Sequence, residues 1–232
     1  MTKNTKIYFA VILCMVLLCT GMGIAVRNSF TGYHTYEEME KAENLQDYHI
    51  QVWEAEENDF LGSVREYGGL LKGADLVARV CATRERKMSI YASTKTKAII
   101  KEVYKGSQKT GQEIFIYEPA GFSYAVSQYY DITGGYQIMK AGEEYYVFLK
   151  KLRTAAGYRM SGQEKNTFLP STALYSKFPI KKGKIKLVES GKLEEGAYCY
   201  GEVEDLEIIT SEQEILTKYQ EIKKEVLQLG KR

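Results

Sequence analysis

Residues 98–117 read AIIKEVYKGSQKTGQEIFIY. Two apolar, β-branched runs flank the polar stretch KGSQKTGQ, which carries a glycine near each end. Runs of Ile, Val, Tyr and Phe bounded by glycine and polar residues read as paired strands, so this stretch predicts a β-hairpin. The doublet Ile99-Ile100 interrupts strict alternation, as a bulge would. Upstream, DLVARVCATRER (75–86) alternates, with Leu76, Ala78, Val80 and Ala82 on one side and Val77, Arg79, Cys81 and Thr83 on the other. Downstream, EEYYVFLKKL (143–152) is apolar on both faces, which predicts a central strand. YRMSG (158–162), NTFLPS (166–171) and GAYCYGEVEDLEII (196–209) supply further short candidates. Many short strands joined by turns rich in glycine and lysine predict a barrel or a sandwich.

Helical spacing brackets the strands. SVREYGGLLKGAD (63–75) predicts a brief helix ending near Gly73. At the other end Ser211 and Glu214 form a capping pattern. Ile215, Tyr219, Ile222, Val226 and Leu229 then fall on one stripe, with Gly230 as a stop. Before the barrel, Thr35 with Glu38 predicts an acidic helix from Tyr36 to about Gln46, leading away from the N-terminus. HIQVWE (49–54) predicts a short strand with Trp53 tucked against the core.

The first residues set the compartment. From Ile7 to Val26 there is no charge, and Lys3 and Lys6 precede the run. Its length matches the roughly 20 residues that span a bilayer as a helix. A cleaved signal peptide, which carries about 7–15 apolar residues, is the alternative, with Gly23-Ile24-Ala25 as its site. Cys14 follows Leu13 and Cys19 follows Leu18, where a lipoprotein would carry a small residue. In both readings the chain beyond is exported and the two lysines stay in the cytoplasm. The expected organisation is an anchor at 1–27, an extracytoplasmic spacer at 28–62 and the barrel with its C-terminal helix at 63–229.

The net charge of +2 comes from Lys3 and Lys6, so the remainder sums to zero. That balance, together with export, argues against nucleic acid as a partner. Basic residues between Arg79 and Lys109 read as the solvated side of a hairpin. Cys81 and Cys199 are the two thiols outside the apolar segment; they form either a disulfide or two small buried residues. No cysteine pair or nearby histidine suggests a metal, and no cofactor is expected. His34 and His49 both precede the barrel, so a histidine-activated nucleophile has no place in it. Glu54 to Asp59 lacks the spaced ligands of a calcium loop and reads as a solvated acidic turn. The segment Glu118–Gln137 is long for a loop and holds Phe122, Tyr124, Tyr129, Tyr130 and Tyr136. Those rings either form an exposed contact surface for a partner or cover one end of the barrel.

Three motifs carry a resemblance: Ala74-Asp75-Leu76-Val77, Val103-Tyr104-Lys105-Gly106, and Gly142 through Leu149 with its Gly-Glu pair and YVFL. Their order over roughly residues 63–229 resembles the bacterial branch of the netrin-like modules, relatives of the tissue inhibitors of metalloproteinases. The resemblance implies a five-stranded antiparallel barrel of the oligonucleotide/oligosaccharide-binding type with helices packed beside it. Those inhibitors chelate zinc through an N-terminal cysteine followed by Cys-x-Cys. Here Cys81 stands alone inside a strand, so protease inhibition is not carried over. The expectation is a non-catalytic, membrane-tethered module that binds a protein or a cell-wall component. The alternatives are a structural accessory subunit of an envelope complex and an exported hydrolase.

Overall fold

The computed structural model describes residues 3–30, 33, 36–53, 66–89, 93–123 and 128–231. The chain forms two compact units, Met1–His34 and Thr35–Arg232. The first is a single helix, α1 (Lys3–Phe30). Its stretch Ile7–Arg27 is long and apolar enough to cross a membrane, and its large side chains are exposed.

The second unit runs α2 (Tyr36–Ala42), β1 (His49–Trp53), α3 (Tyr67–Gly73), β2 (Leu76–Ser89), β3 (Ser93–Lys105) and β4 (Glu113–Glu118). It continues with β5 (Ala120–Ser123), β6 (Tyr129–Thr133), β7 (Glu144–Lys151), α4 (Gly162–Lys165), β8 (Thr167–Pro170) and β9 (Lys177–Pro179). Three helices finish it: α5 (Ser190–Glu194), α6 (Tyr200–Val203) and α7 (Gln213–Val226).

Strands β2, β3, β4, β8 and β7 form a ring that closes where β2 pairs with β7, from Leu76 opposite Leu149 to Cys81 opposite Glu144. This is the expected small five-stranded barrel, with one correction. It is mixed, not wholly antiparallel, because β4 and β8 run parallel. The reason is topological: five strands cannot alternate direction around a closed ring, so one adjacent pair must be parallel. The alternation read in the sequence sorts as expected. Leu76, Ala78, Val80 and Ala82 point into the barrel with Ala98, Ile100, Ile114 and Phe168. The two-faced β7 sends Tyr145, Val147 and Leu149 inward, while Tyr146 and Phe148 pack outward with Val77, Phe178 and the buried stripe of α7.

The bulge lies just beyond the expected doublet. Val80 faces Ile100 and Arg79 faces Glu102, so Lys101 is the extra residue. Ile99 and Ile100 alternate normally, out and in, and the bulge turns Val103 back against the barrel core while Glu102 faces Arg79 outside. Gly106 ends β3 at φ +123°, where a Cβ would lie 3.0 Å from Leu76 Cδ1 and 3.2 Å from the Asp75 carbonyl. Only glycine meets that conformation and that approach without strain.

Residues 36–53 correct the expectation of a spacer. They belong to the same unit as the barrel, and Met39, Leu45, Tyr48 and Ile50 are buried. The acidic helix stops at Ala42, followed by a short turn of 3-10 helix at Leu45–Asp47. β1 then pairs in parallel with β6, which pairs with β5, so the presumed long loop 118–137 contains two strands of a three-stranded sheet. At the C-terminus, Glu212 and not Ser211 occupies the cap of α7, without a side-chain bond. The helix ends at Val226, short of Leu229. YRMSG forms no strand, and GAYCYGEVEDLEII forms α6 and extended segments joined to neighbours by single bridges. Thr35, His34 and Glu54 to Asp59 lie outside the described residues.

Candidate functional site

The aromatic residues expected to form a contact surface divide. Phe122, Tyr130 and Tyr136 are buried, so that expectation is corrected for these three. Phe122 and Tyr130 lie 4.7 Å apart between centroids, and Tyr200 packs edge-on 4.7 Å from Tyr130. Polar tips are satisfied inside: Tyr130 donates to Gln137 Oε1 at 2.6 Å, and Tyr136 donates to Glu118 Oε2 at 3.0 Å. The physical reason is the pairing with β1, which gives the β5–β6 hairpin a second core to cover. Of the five expected contact rings, only Tyr129 among those described keeps a solvent-facing position, and Tyr124 lies outside the described residues. Cys81 and Cys199 are both free, which corrects the disulfide reading. Cys81 stands on the outer face of β2 opposite Ile99 and Glu144, whereas Cys199 bridges to His49 at the separate three-stranded sheet.

Two concave regions of the second unit carry convergent polar chemistry. The first is a groove of about 760 Å³ along β1, walled by Leu193 to Gly196 and Ile209 to Glu212. The parallel register puts His49, Gln51 and Trp53 on one face with Tyr129 and Asp131. Trp53 was expected in the core, yet it is 53% exposed. Its indole N–H donates to Asp131 Oδ1 at 2.8 Å, and that carboxylate is only 4% exposed. A buried acceptor therefore fixes the orientation of a large ring that remains in water. His49 Nδ1 lies 3.1 Å from the Gly196 carbonyl, so this nitrogen carries the proton. The lining includes Glu194, Glu195 and Glu212, with no lysine or arginine among its described residues.

The second region is a cleft of about 360 Å³ beside the barrel, lined by Gln137, Tyr145 and the lysine-rich segment 177–184. Lys177, on β9, is 6% exposed. Its ammonium donates to the Gln137 carbonyl and sits 4.3 Å from the Tyr136 ring centroid and 5.4 Å from that of Tyr145. Desolvation lowers its pKa to about 8, against a smaller opposing pull from Glu118. Deeper in, Glu118 is fully buried and accepts from the Thr96 hydroxyl, the Tyr136 hydroxyl and the Met139 amide, the last at 2.8 Å. Arg86, also buried, donates to the Met139 carbonyl and lies over the Tyr36 ring. Arg86 belongs to the basic run expected on the solvated side of a hairpin, and its burial corrects that expectation; Lys177 carries no such signal, because a lysine in a short strand gives no sign of its burial.

The lowered pKa of Lys177 has a measurable consequence. The unfolded chain holds this proton up to about pH 10.5 while the folded chain releases it near pH 8. Stability therefore rises with pH between those values, by up to about 3 kcal/mol. The buried tyrosines Tyr130, Tyr136 and Tyr219 have raised pKa values, chiefly through desolvation, so their contribution falls away above pH 10. Urea unfolding from pH 7 to 10 is expected to show the rise in the native chain and a flatter profile in Lys177→Met. Equal slopes in the two would place the ammonium in solvent. No protein-family model matches the chain, and no curated protein shows significant similarity to it.

Proposed function

We propose that this chain is a non-catalytic, membrane-tethered module whose barrel unit stands outside the cytoplasm and binds a cell-wall glycan through the groove beside β1. The observation that carries this reading is the exposed Trp53 ring held by the buried Asp131 carboxylate. A rigid aromatic with few rotamers loses little entropy on contact and offers a flat apolar face to a sugar ring. Tyr129 extends the platform, and the carboxylates of Glu194, Glu195 and Glu212 suit hydroxyl groups while disfavouring anions. The apolar stretch Ile7–Arg27, preceded by Lys3 and Lys6, supports retention in the membrane with the second unit outside. The netrin-like motifs fall on the start of β2, the end of β3 and β7, consistent with a binding scaffold.

The full-length chain, purified in detergent, is tested for co-sedimentation with insoluble cell-wall sacculi. Binding by the native chain and a loss of about tenfold or more in Trp53→Ala are expected. Undiminished binding by Trp53→Ala would remove the groove from the reading. Capture of a basic protein instead of wall material would replace the glycan with a polypeptide partner.

A further inference from the structure

We propose that the lysine-lined cleft beside the barrel is a binding site for a tetrahedral oxyanion of the phosphate class, with Lys177 at its floor and Lys182 at its rim. The inference is independent of the groove beside β1, which has the opposite charge.

The first support is an uncompensated charge. Around the barrel mouth the buried ionised groups are Arg86, Glu118, Lys177 and the pair Glu207–Lys223. Glu207 is taken by Lys223, both of whose contacts to its carboxylate are 2.5 Å. That leaves two cations against Glu118, whose oxygens accept from neutral donors. Among the described residues Lys177 has no carboxylate within 4.0 Å, and its one hydrogen-bond acceptor is the Gln137 carbonyl. A buried cation held by a single neutral acceptor and two ring faces is incompletely solvated. An anion in the adjoining cleft supplies what is missing, and the amine is still mostly charged at neutral pH.

The second support comes from the walls. Each carboxylate of the lining already has a partner. Asp205 accepts from Lys140 and Lys184, both at 3.1 Å, and Glu143 faces Lys181 at 3.6 Å. Glu204 accepts from Gln46 at 3.0 Å. Lys182 has no such partner among the described residues and is exposed at the rim. Asp205 is thus shared by Lys140 and Lys184 and Glu143 is turned to Lys181, so among the described lining lysines Lys177 and Lys182 are the two with no carboxylate within 4.0 Å. Residues 177–186 read KFPIKKGKIK, five lysines without an acid. The segment is also held in place: the Gly183 amide donates to Glu207 Oε1 at 2.8 Å, and a Cβ at 183 would lie 2.7 Å from Glu207 Cγ. The volume of about 360 Å³ falls in the small-ligand range.

The test is calorimetric titration of the full-length chain in a neutral detergent and phosphate-free buffer, with inorganic phosphate and with glycerol 3-phosphate as separate probes. Saturable binding of at least one probe with Kd of about 1 mM or tighter is expected. Lys177→Met and Lys182→Met are each expected to weaken it about tenfold, while Lys186→Met, outside the lining, leaves it unchanged. Phosphate binding alone identifies a free anion as the ligand, and binding of the ester alone identifies an organic phosphate. Absence of saturable heat with both probes overturns the proposal. Binding that survives Lys177→Met, in a variant shown folded by its near-ultraviolet circular dichroism, overturns it equally, because surface lysines alone would then account for the heat.

Discussion

Replacing Lys223 by methionine is expected to destabilise the second unit by about 4 kcal/mol. Its ammonium lies 2.5 Å from both oxygens of Glu207, with side-chain exposures of 9% and 2%. Removing the lysine leaves a desolvated carboxylate with only neutral donors, the Tyr219 hydroxyl at 3.1 Å and the Gly183 amide at 2.8 Å. Hydrogen bonds of that kind do not replace the lost hydration of a full charge. The double variant Lys223→Met with Glu207→Gln removes both charges and keeps an amide to meet Tyr219 and Gly183. It is expected to lie within about 1.5 kcal/mol of the native chain, giving a coupling of a few kcal/mol. Urea unfolding in detergent, followed by the near-ultraviolet signal of the tyrosines, measures all the corners of the cycle. A cost below about 1 kcal/mol for the single lysine variant is the value of a solvated surface pair and would refute burial of this one.

Gly135→Ala is expected to cost about 4 kcal/mol or more. Gly135 follows β6 at φ +85°, a conformation that an alanine adopts only with strain. The Ile209 carbonyl stands 2.3 Å from the position an added Cβ would take. That carbonyl belongs to backbone, and Ile209 is itself held by donating its amide to the Gly135 carbonyl at 3.0 Å. The methyl group therefore moves one of two tethered chain segments, not the end of a flexible side chain. The same measurement checks it. Gly142→Ala is the control: it shares a positive φ of +81° with nothing near its Cβ, so it carries the conformational cost alone. Equal losses at the two glycines would show that the Ile209 approach contributes nothing.

The strands of the barrel were legible because each has its own local signal. Leu76, Ala78, Val80 and Ala82 alternate with polar or outward residues, and the two-faced run from Tyr145 to Leu149 announces a strand covered on both sides. The apolar stretch of α1 is likewise a property of composition and length. The stripe of α7 identified its buried face, although tertiary context moved its ends: the helix begins after Glu212 and stops at Val226. What neighbours a residue acquires across long chain separations was not legible. Tyr130 and Phe122 look like exposed loop aromatics until β1, some eighty residues earlier, pairs with β6 and turns them into core. Trp53 looks like core until the same pairing sets its ring on the outer face with Asp131. Lys177 looks like one surface lysine among five until β9 joins β7 and brings it over Tyr136 and Tyr145. Periodicity along a strand depends on side-chain direction alone, and so it is written in the sequence. Which of two faces meets water depends on the partner element, and for the groove and the cleft only the tertiary pairing supplied that partner.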